Sequence, residues 1–182
     1  SSDLGATNIW MCDSKGIIST SRTDINQQKK EFAIKAQGTL VGAVQGADVF
    51  IGVSAPGVLT PEMVRSMGKD AIVFAMANPI PEIRPEQIKD DVAVVATGRS
   101  DYPNQINNVL AFPGVFRGAL DSHCSTMTTT MYLEAASAIA SLIQPSELTK
   151  EHIIPSVFDK RVSQAVASAV QRAAREEGIA RC

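Results

Sequence analysis

The sequence predicts an α/β fold built on a doubly wound parallel sheet. Two observations carry this. Short runs rich in apolar and β-branched residues show no polar alternation, as strands covered on both faces do, and segments with helix start signals lie between them. The runs are residues 8–12, 48–53, 71–76 and 92–96. Short connections between such elements imply right-handed βαβ units, with ligands expected beyond the carboxyl ends of the strands. The ends at Asp13, Ser54, Asn78 and Arg99 are therefore expected to converge on one cleft.

The first run ends in Asp13-Ser14-Lys15-Gly16. An acid at the tip of the second strand of a dinucleotide fold accepts hydrogen bonds from the adenosine ribose, while an ordinary turn aspartate is the alternative. The glycine loop that accompanies such an acid lies about 20 residues earlier. Only 12 residues precede Asp13. The expectation is a sheet lacking its first strand and glycine loop, with residues 1–5 as the remnant of the first helix; a different fold that starts at this strand is the alternative.

The second run ends in Gly52-Val53-Ser54-Ala55-Pro56-Gly57, small residues that let a backbone approach a flat ligand or simply make a glycine turn. Thr60-Pro61-Glu62 then starts a helix with a cap, a proline at the first position and an acid in the first turn, and Gly68 suits its far end. The third run ends in Ala77-Asn78-Pro79-Ile80-Pro81-Glu82. Pro79 biases Asn78 towards extended backbone, which would hold a carboxamide donor and acceptor at the strand tip; an Asx-Pro turn is the alternative. The fourth leads into Thr97-Gly98-Arg99-Ser100-Asp101-Tyr102-Pro103-Asn104-Gln105-Ile106-Asn107-Asn108, more hydrogen-bonding groups than a helix cap needs and suited to a carboxylate ligand.

Residues 107–120, 130–142 and 161–177 read as helices, the last two alanine-rich, with an irregular linker over 144–155. The division expected is a partial dinucleotide-binding domain over 1–128 and cover helices of the same domain over 129–182.

Composition narrows the function. With 182 residues and 45% hydrophobic content, one domain with a proper core is expected. A net charge of -2, with no basic run longer than Lys29-Lys30, gives no footprint for nucleic acid or anionic membrane. Three cysteines, Cys12, Cys124 and Cys182, indicate neither a disulfide framework nor a zinc site. No apolar run reaches the roughly 18 residues of a spanning helix, and residues 1–7 lack signal-peptide character. A soluble protein of a reducing compartment, the cytoplasm or an organelle matrix, is expected.

Several tempting residues are assigned no chemistry. His123 and Cys124 have no third metal ligand at suitable spacing, and His152 stands alone. Cys12 is read as a small hydrophobe, and Met63, Met67, Met127 and Met131 as core. Lys29-Lys30 is read as a solvated helix face ahead of a 2′-phosphate site.

The segments 13–16, 46–57, 74–82 and 97–120 resemble the cofactor domain of malic enzymes of the short bacterial type, as do Ile153-Ile154-Pro155-Ser156 and the alanine-rich end. The block from Thr97 to Gly114 is the most specific. The resemblance implies oxidative decarboxylation of L-malate to pyruvate and CO2. Hydride leaves C2 for NAD or NADP, and a divalent metal, Mg or Mn, polarises the new carbonyl. It implies that Asp13, Ser14, Lys15, Gly52, Val53, Ser54, Ala55, Gly57 and Asn78 face the cofactor, and that Asn78, Asn107 and Asn108 face malate. Arg99 and Asp101 are second choices for the site, an ion pair shaping their loop being the role expected. Asp13 would repel a 2′-phosphate and so favours NAD.

Family members supply a catalytic tyrosine, a lysine and three acidic metal ligands from upstream of the glycine loop. The catalytic residues are therefore expected before residue 1, no metal ligand is expected in this chain, and the chain alone is expected to be inactive. A homodimer or higher homo-oligomer is implied. The competing readings are a nucleotide-binding module without catalysis and the cofactor domain of an amino-acid dehydrogenase; the block from Arg99 to Gly114 argues against the latter.

Overall fold

A computed structural model describes residues 2–181; Ser1 and Cys182 lie outside the described residues. The chain divides into two compact units, Ser1–Val95 and Ala96–Cys182, each with its own apolar core.

In the first unit a short 3-10 turn, Ser2–Leu4, ends at Gly5. Strands β1 (Cys12–Asp13) and β2 (Gly16–Ile17) then form an antiparallel hairpin with Asp13 opposite Gly16. This corrects the expectation that residues 8–12 form a strand of the parallel sheet. Among the described residues no strand lies beside 8–11, so their backbone groups build no ladder. The Met11 carbonyl accepts from the Ile18 N–H at 2.8 Å.

After α1 (Gln27–Lys30) and α2 (Leu40–Val44) comes the sheet proper. Its strands are β3 (Val49–Gly52), β4 (Ile72–Ala75) and β5 (Val94–Thr97), in that order, with α3 (Pro61–Arg65) between the first pair. β3 and β4 are parallel, Val49 opposite Ile72 and Gly52 opposite Ala75, so both chains leave the sheet at one end and in step.

The core joins Val44 of α2 and Met63 and Val64 of α3 to Phe50, Val73 and Ala75. Because strand side chains alternate, this is one face of the sheet. Val49 and Ile51, on the other face, are 46% and 51% exposed, which corrects the expectation of strands covered on both sides. Thr60 caps α3 as expected, its hydroxyl accepting from the Met63 N–H. Gly68 does not close that helix; it lies beyond Ser66 and donates its N–H to the Ala47 carbonyl.

The second unit holds α4 (Phe112–Asp121), α5 (Thr129–Ala140) and α6 (Lys160–Glu176). The helix expected over 107–120 breaks near Ala111. A 3-10 turn, Asn108–Leu110, comes first, and α4 restarts with Pro113 in its first turn, where a missing N–H is harmless. Val162, Val166 and Val170 recur every four residues and form the buried stripe of α6, with Met131 and Ala135 of α5 in the same core. Gly114 and Gly118 let α4 approach that stripe. Residues 144–155 are turns, pinned by paired backbone bonds between Thr149 and His152. Among the described residues, no helix is long and apolar enough to cross a membrane.

Candidate functional site

The in-step exit of β3 and β4 brings the 52–57 and 77–82 segments together. What joins them is Glu82, which is fully buried. Its Oε1 accepts from the Ser54 N–H at 2.7 Å and the Ser54 hydroxyl at 3.2 Å, and its Oε2 accepts from the Ala77 N–H at 2.9 Å. The Glu82 carbonyl accepts from the Leu59 N–H at 3.3 Å.

Gly52 is buried because the carboxylate lies against it, whereas Val53, Ser54, Ala55 and Gly57 are exposed. Asn78 follows Ala77 directly and is exposed, with a cis peptide to Pro79. Between the exits is a hollow of about 270 Å³ lined by Gly57, Thr60, Pro61, Ile80, Pro81 and Arg84.

At the β1–β2 hairpin, Asp13 is enclosed by cations. Its Oδ1 accepts from Arg22 Nη1 at 2.8 Å and the Lys15 N–H at 3.0 Å, and its Oδ2 accepts from Arg22 Nη2 at 3.0 Å and Lys29 Nζ at 2.7 Å. A carboxylate has about four lone-pair positions, and all are used. Asp24 completes the group, binding Arg22 and pairing with Lys15 at 2.6 Å.

Arg22 first, and then Lys29, hold the Asp13 carboxyl well below the usual carboxylate range; Arg22 and Lys15 do the same for Asp24. One sequence expectation changes here: Lys29 is a partner of Asp13 rather than part of a solvated face, and the Asp13 charge is balanced by Arg22 and Lys29. Ser14 and Lys15 are exposed on the turn.

In the second unit the dense polar block is largely spent on its own architecture. Arg99 pairs with Asp101 at 2.6 Å, as expected, and lies 5.3 Å from the Tyr102 ring centre. Asn104, buried with φ of 55°, donates to the Lys150 carbonyl at 2.8 Å and accepts from the Ile153 N–H at 2.9 Å, tying the loop to residues 149–154. The Gln105 carboxamide reaches the Gly98 carbonyl. Asn107 caps the following turn by accepting from the Val109 N–H at 3.0 Å, and both it and Asn108 are exposed.

The methionines behave as core: Met63 and Met67 are buried in the first unit's core and Met131 in the second's, where Met127 packs at the margin. Cys12 is half-buried, and burial pushes its thiol up. Among the described residues no group of three His, Cys, Asp or Glu side chains gathers as a metal site.

Glu82 is the residue that sequence reasoning missed. It appeared only as the last letter of a turn, although an acid directly after an apolar-proline segment and followed by Ile83 was a signal of burial.

A family model described as "Malic enzyme, NAD binding domain" matches residues 1–175. The chain is 53% identical to the bifunctional malic/malolactic enzyme of Bacillus subtilis, over 97% of the chain and 45% of that protein. It is 52% identical to the NAD-dependent malic enzyme of Geobacillus stearothermophilus, over 97% of the chain and 38% of that protein.

Among solved structures, the NAD-dependent malic enzyme of Thermotoga maritima matches with a TM-score of 0.85 at 42% identity, covering 93% of this chain and 46% of that one. The malic enzyme of Entamoeba histolytica matches with a TM-score of 0.87 at 35% identity, covering 94% of this chain and 38% of that one. The chain thus spans less than half the length of these relatives. With a family model matched along nearly its whole length, the chain belongs to the malic enzyme family and corresponds to its Rossmann-like NAD-binding domain.

Proposed function

We propose that this chain is the cofactor-binding part of an enzyme that converts L-malate to pyruvate and CO2 with reduction of NAD or NADP, and that it also lends amide side chains to the malate site. The observation that carries the reading is the joined exit of β3 and β4, where an exposed small-residue loop and the exposed Asn78 carboxamide leave parallel strands in register.

The residues present fit a dinucleotide. The 53–57 loop is exposed, and at Gly57, with φ of 71°, the space where a Cβ would stand is open. When bound, the nicotinamide supplies the hydride acceptor for oxidation at C2. The chain's own part is orientation. Asn78 offers both a donor and an acceptor to a hydroxyl, a carboxylate or the nicotinamide amide, and Asn107, its oxygen engaged in the cap, offers its NH2 to a carboxylate.

The hairpin charges support use of both cofactors rather than a strict preference for NAD. Lys15, Arg22 and Lys29 outnumber Asp13 and Asp24, so a 2′-phosphate meets no net negative charge. Two unpaired thiols, Cys12 and Cys124, support a reducing compartment such as the cytoplasm.

The chain is grafted in place of the matching part of the Bacillus subtilis relative, and calorimetric titration of the graft with NAD+ and NADP+ tests the cofactor reading, with affinities within about tenfold of each other expected. The same graft tests the reaction. Malate-dependent NAD(P)H formation by the graft, and none by the chain alone, is expected. A graft that folds and binds dinucleotide but leaves malate unoxidised would sink the malate reading and favour a binding module.

A further inference from the structure

We propose that Glu82 is a positioning residue that ties the exit of β3 to the exit of β4 and so fixes the cofactor loop at Ser54 relative to Asn78. The inference rests on the cofactor reading of those exits.

The placement of Glu82 is costly for anything less. It is fully buried, and among the described residues no cation pairs with it, so its burial is compensated only by hydrogen bonds. An apolar residue of similar size would fill the same space without that cost. The carboxylate does what an apolar residue or an amide cannot, because both its oxygens accept and neither donates. One oxygen takes the Ser54 N–H and hydroxyl from the β3 exit, and the other takes the Ala77 N–H from the β4 exit.

The main chain repeats the tie, with Leu59 donating to the Glu82 carbonyl at 3.3 Å. The sheet itself makes room for it. A Cβ on Gly52 would stand 2.5 Å from Glu82 Cδ and 2.6 Å from Oε1, so the last residue of β3 must be glycine for the carboxylate to reach both exits. Asn78 is the residue directly after the tied Ala77, and Ser54 is the tied residue of the loop, so small displacements of Glu82 pass to both contact groups.

Glu82→Gln tests this, since it keeps the shape but turns an NH2 towards a backbone N–H. Gly52→Ala is the second variant, displacing the intact carboxylate without altering its partners. Two readouts are used on the chain grafted into the Bacillus subtilis relative: amide hydrogen exchange at Ser54 and Ala77, and NAD+ affinity by calorimetry. Both variants are expected to speed exchange at these amides by at least about tenfold and to weaken NAD+ binding about tenfold, as expected for losing a hydrogen bond to a charged group.

Unchanged exchange in a folded variant would overturn the tie. Faster exchange with unchanged NAD+ affinity would overturn the positioning role and leave Glu82 purely structural. A wild-type graft in the Bacillus subtilis relative that binds no dinucleotide would overturn the cofactor reading and the role built on it, and is recognised before any substitution is made.

Discussion

Gly52 and Glu82 are complementary in space: the Cβ that residue 52 lacks would lie 2.5 Å from the Glu82 Cδ. Gly52→Ala must therefore move a buried carboxylate away from its donors, and overpacking of this kind costs about 1 to 3 kcal/mol before the lost hydrogen bonds are added. Glu82→Ala removes the nearer obstacle along with the bonds and leaves the Phe50 ring, whose Cε1 would lie 2.8 Å from the same Cβ. The double variant Gly52→Ala with Glu82→Ala should be less destabilised than the sum of the singles, by at least about 1 kcal/mol, in urea unfolding. Strict additivity would mean that the two sites do not share the strain.

A second close approach lies in the helical unit. A Cβ on Gly118 would meet the Ala167 carbonyl oxygen at 2.7 Å and Val170 Cβ at 2.7 Å. Alanine in a helix interior is worth about 1 kcal/mol over glycine by propensity alone. Here a backbone oxygen and a β-branched side chain oppose it, and neither can swing aside, so the overpacking cost of about 1 to 3 kcal/mol wins. Gly118→Ala should lower the unfolding free energy, and a neutral or stabilised variant would show that α6 can yield.

Much of the fold was legible because its signals are local. Thr60 and Pro61 mark the start of α3, and the four-residue recurrence of Val162, Val166 and Val170 marks α6. What could not be read is what depends on partners distant in sequence. Residues 8–12 have the composition of a buried strand, yet a strand is defined by its neighbour, and among the described residues none lies beside 8–11. The polar block after β5 invited a ligand-binding reading, but Asn104 spends its carboxamide on residues nearly fifty positions away. Asp13 was visible as an acid at a strand tip; the closing of Arg22 and Lys29 upon it was not.

Asn104 carries a prediction of its own. Its side chain satisfies the Lys150 carbonyl and the Ile153 N–H from a buried position, and its φ of 55° is one that asparagine tolerates better than alanine does. Asn104→Ala leaves a buried acceptor and donor unpaired and adds backbone strain, for a loss of about 2 to 4 kcal/mol. Asn104→Gly relieves the backbone alone. Thermal unfolding should rank wild type above the glycine variant and that above the alanine variant; an alanine variant as stable as the glycine one would argue that the conformation carries no strain.

At the hairpin, Asp13→Asn removes one of two carboxylates and leaves Lys15, Arg22 and Lys29 facing Asp24 alone. The local charge becomes more positive, so NADP+ should bind several-fold more tightly and NAD+ no more tightly than before. Because the group is partly solvated, the gain should fade as ionic strength rises. Titration of both cofactors at low and high salt measures this. An equal change for NAD+ and NADP+ would place the 2′-position away from the cluster.

The same cluster sets an acid dependence of stability. Asp13 is held below the usual carboxylate range mainly by Arg22 and then Lys29, and Asp24 by Arg22 and then Lys15. In the unfolded chain these partners are gone and an aspartate titrates near its reference value of about 3.9. The unfolded state therefore takes up protons first as pH falls, and stability falls with it. The contribution of the pair is present in full above about pH 5 and is lost as pH drops through the depressed folded values. The stability difference between wild type and Asp13→Asn should be flat from about pH 5 to pH 8 and should shrink only below about pH 4. A difference that stays flat all the way down through about pH 3 would mean that Asp13 titrates alike in the folded and unfolded chain, and that the ring of donors around it does not hold in solution.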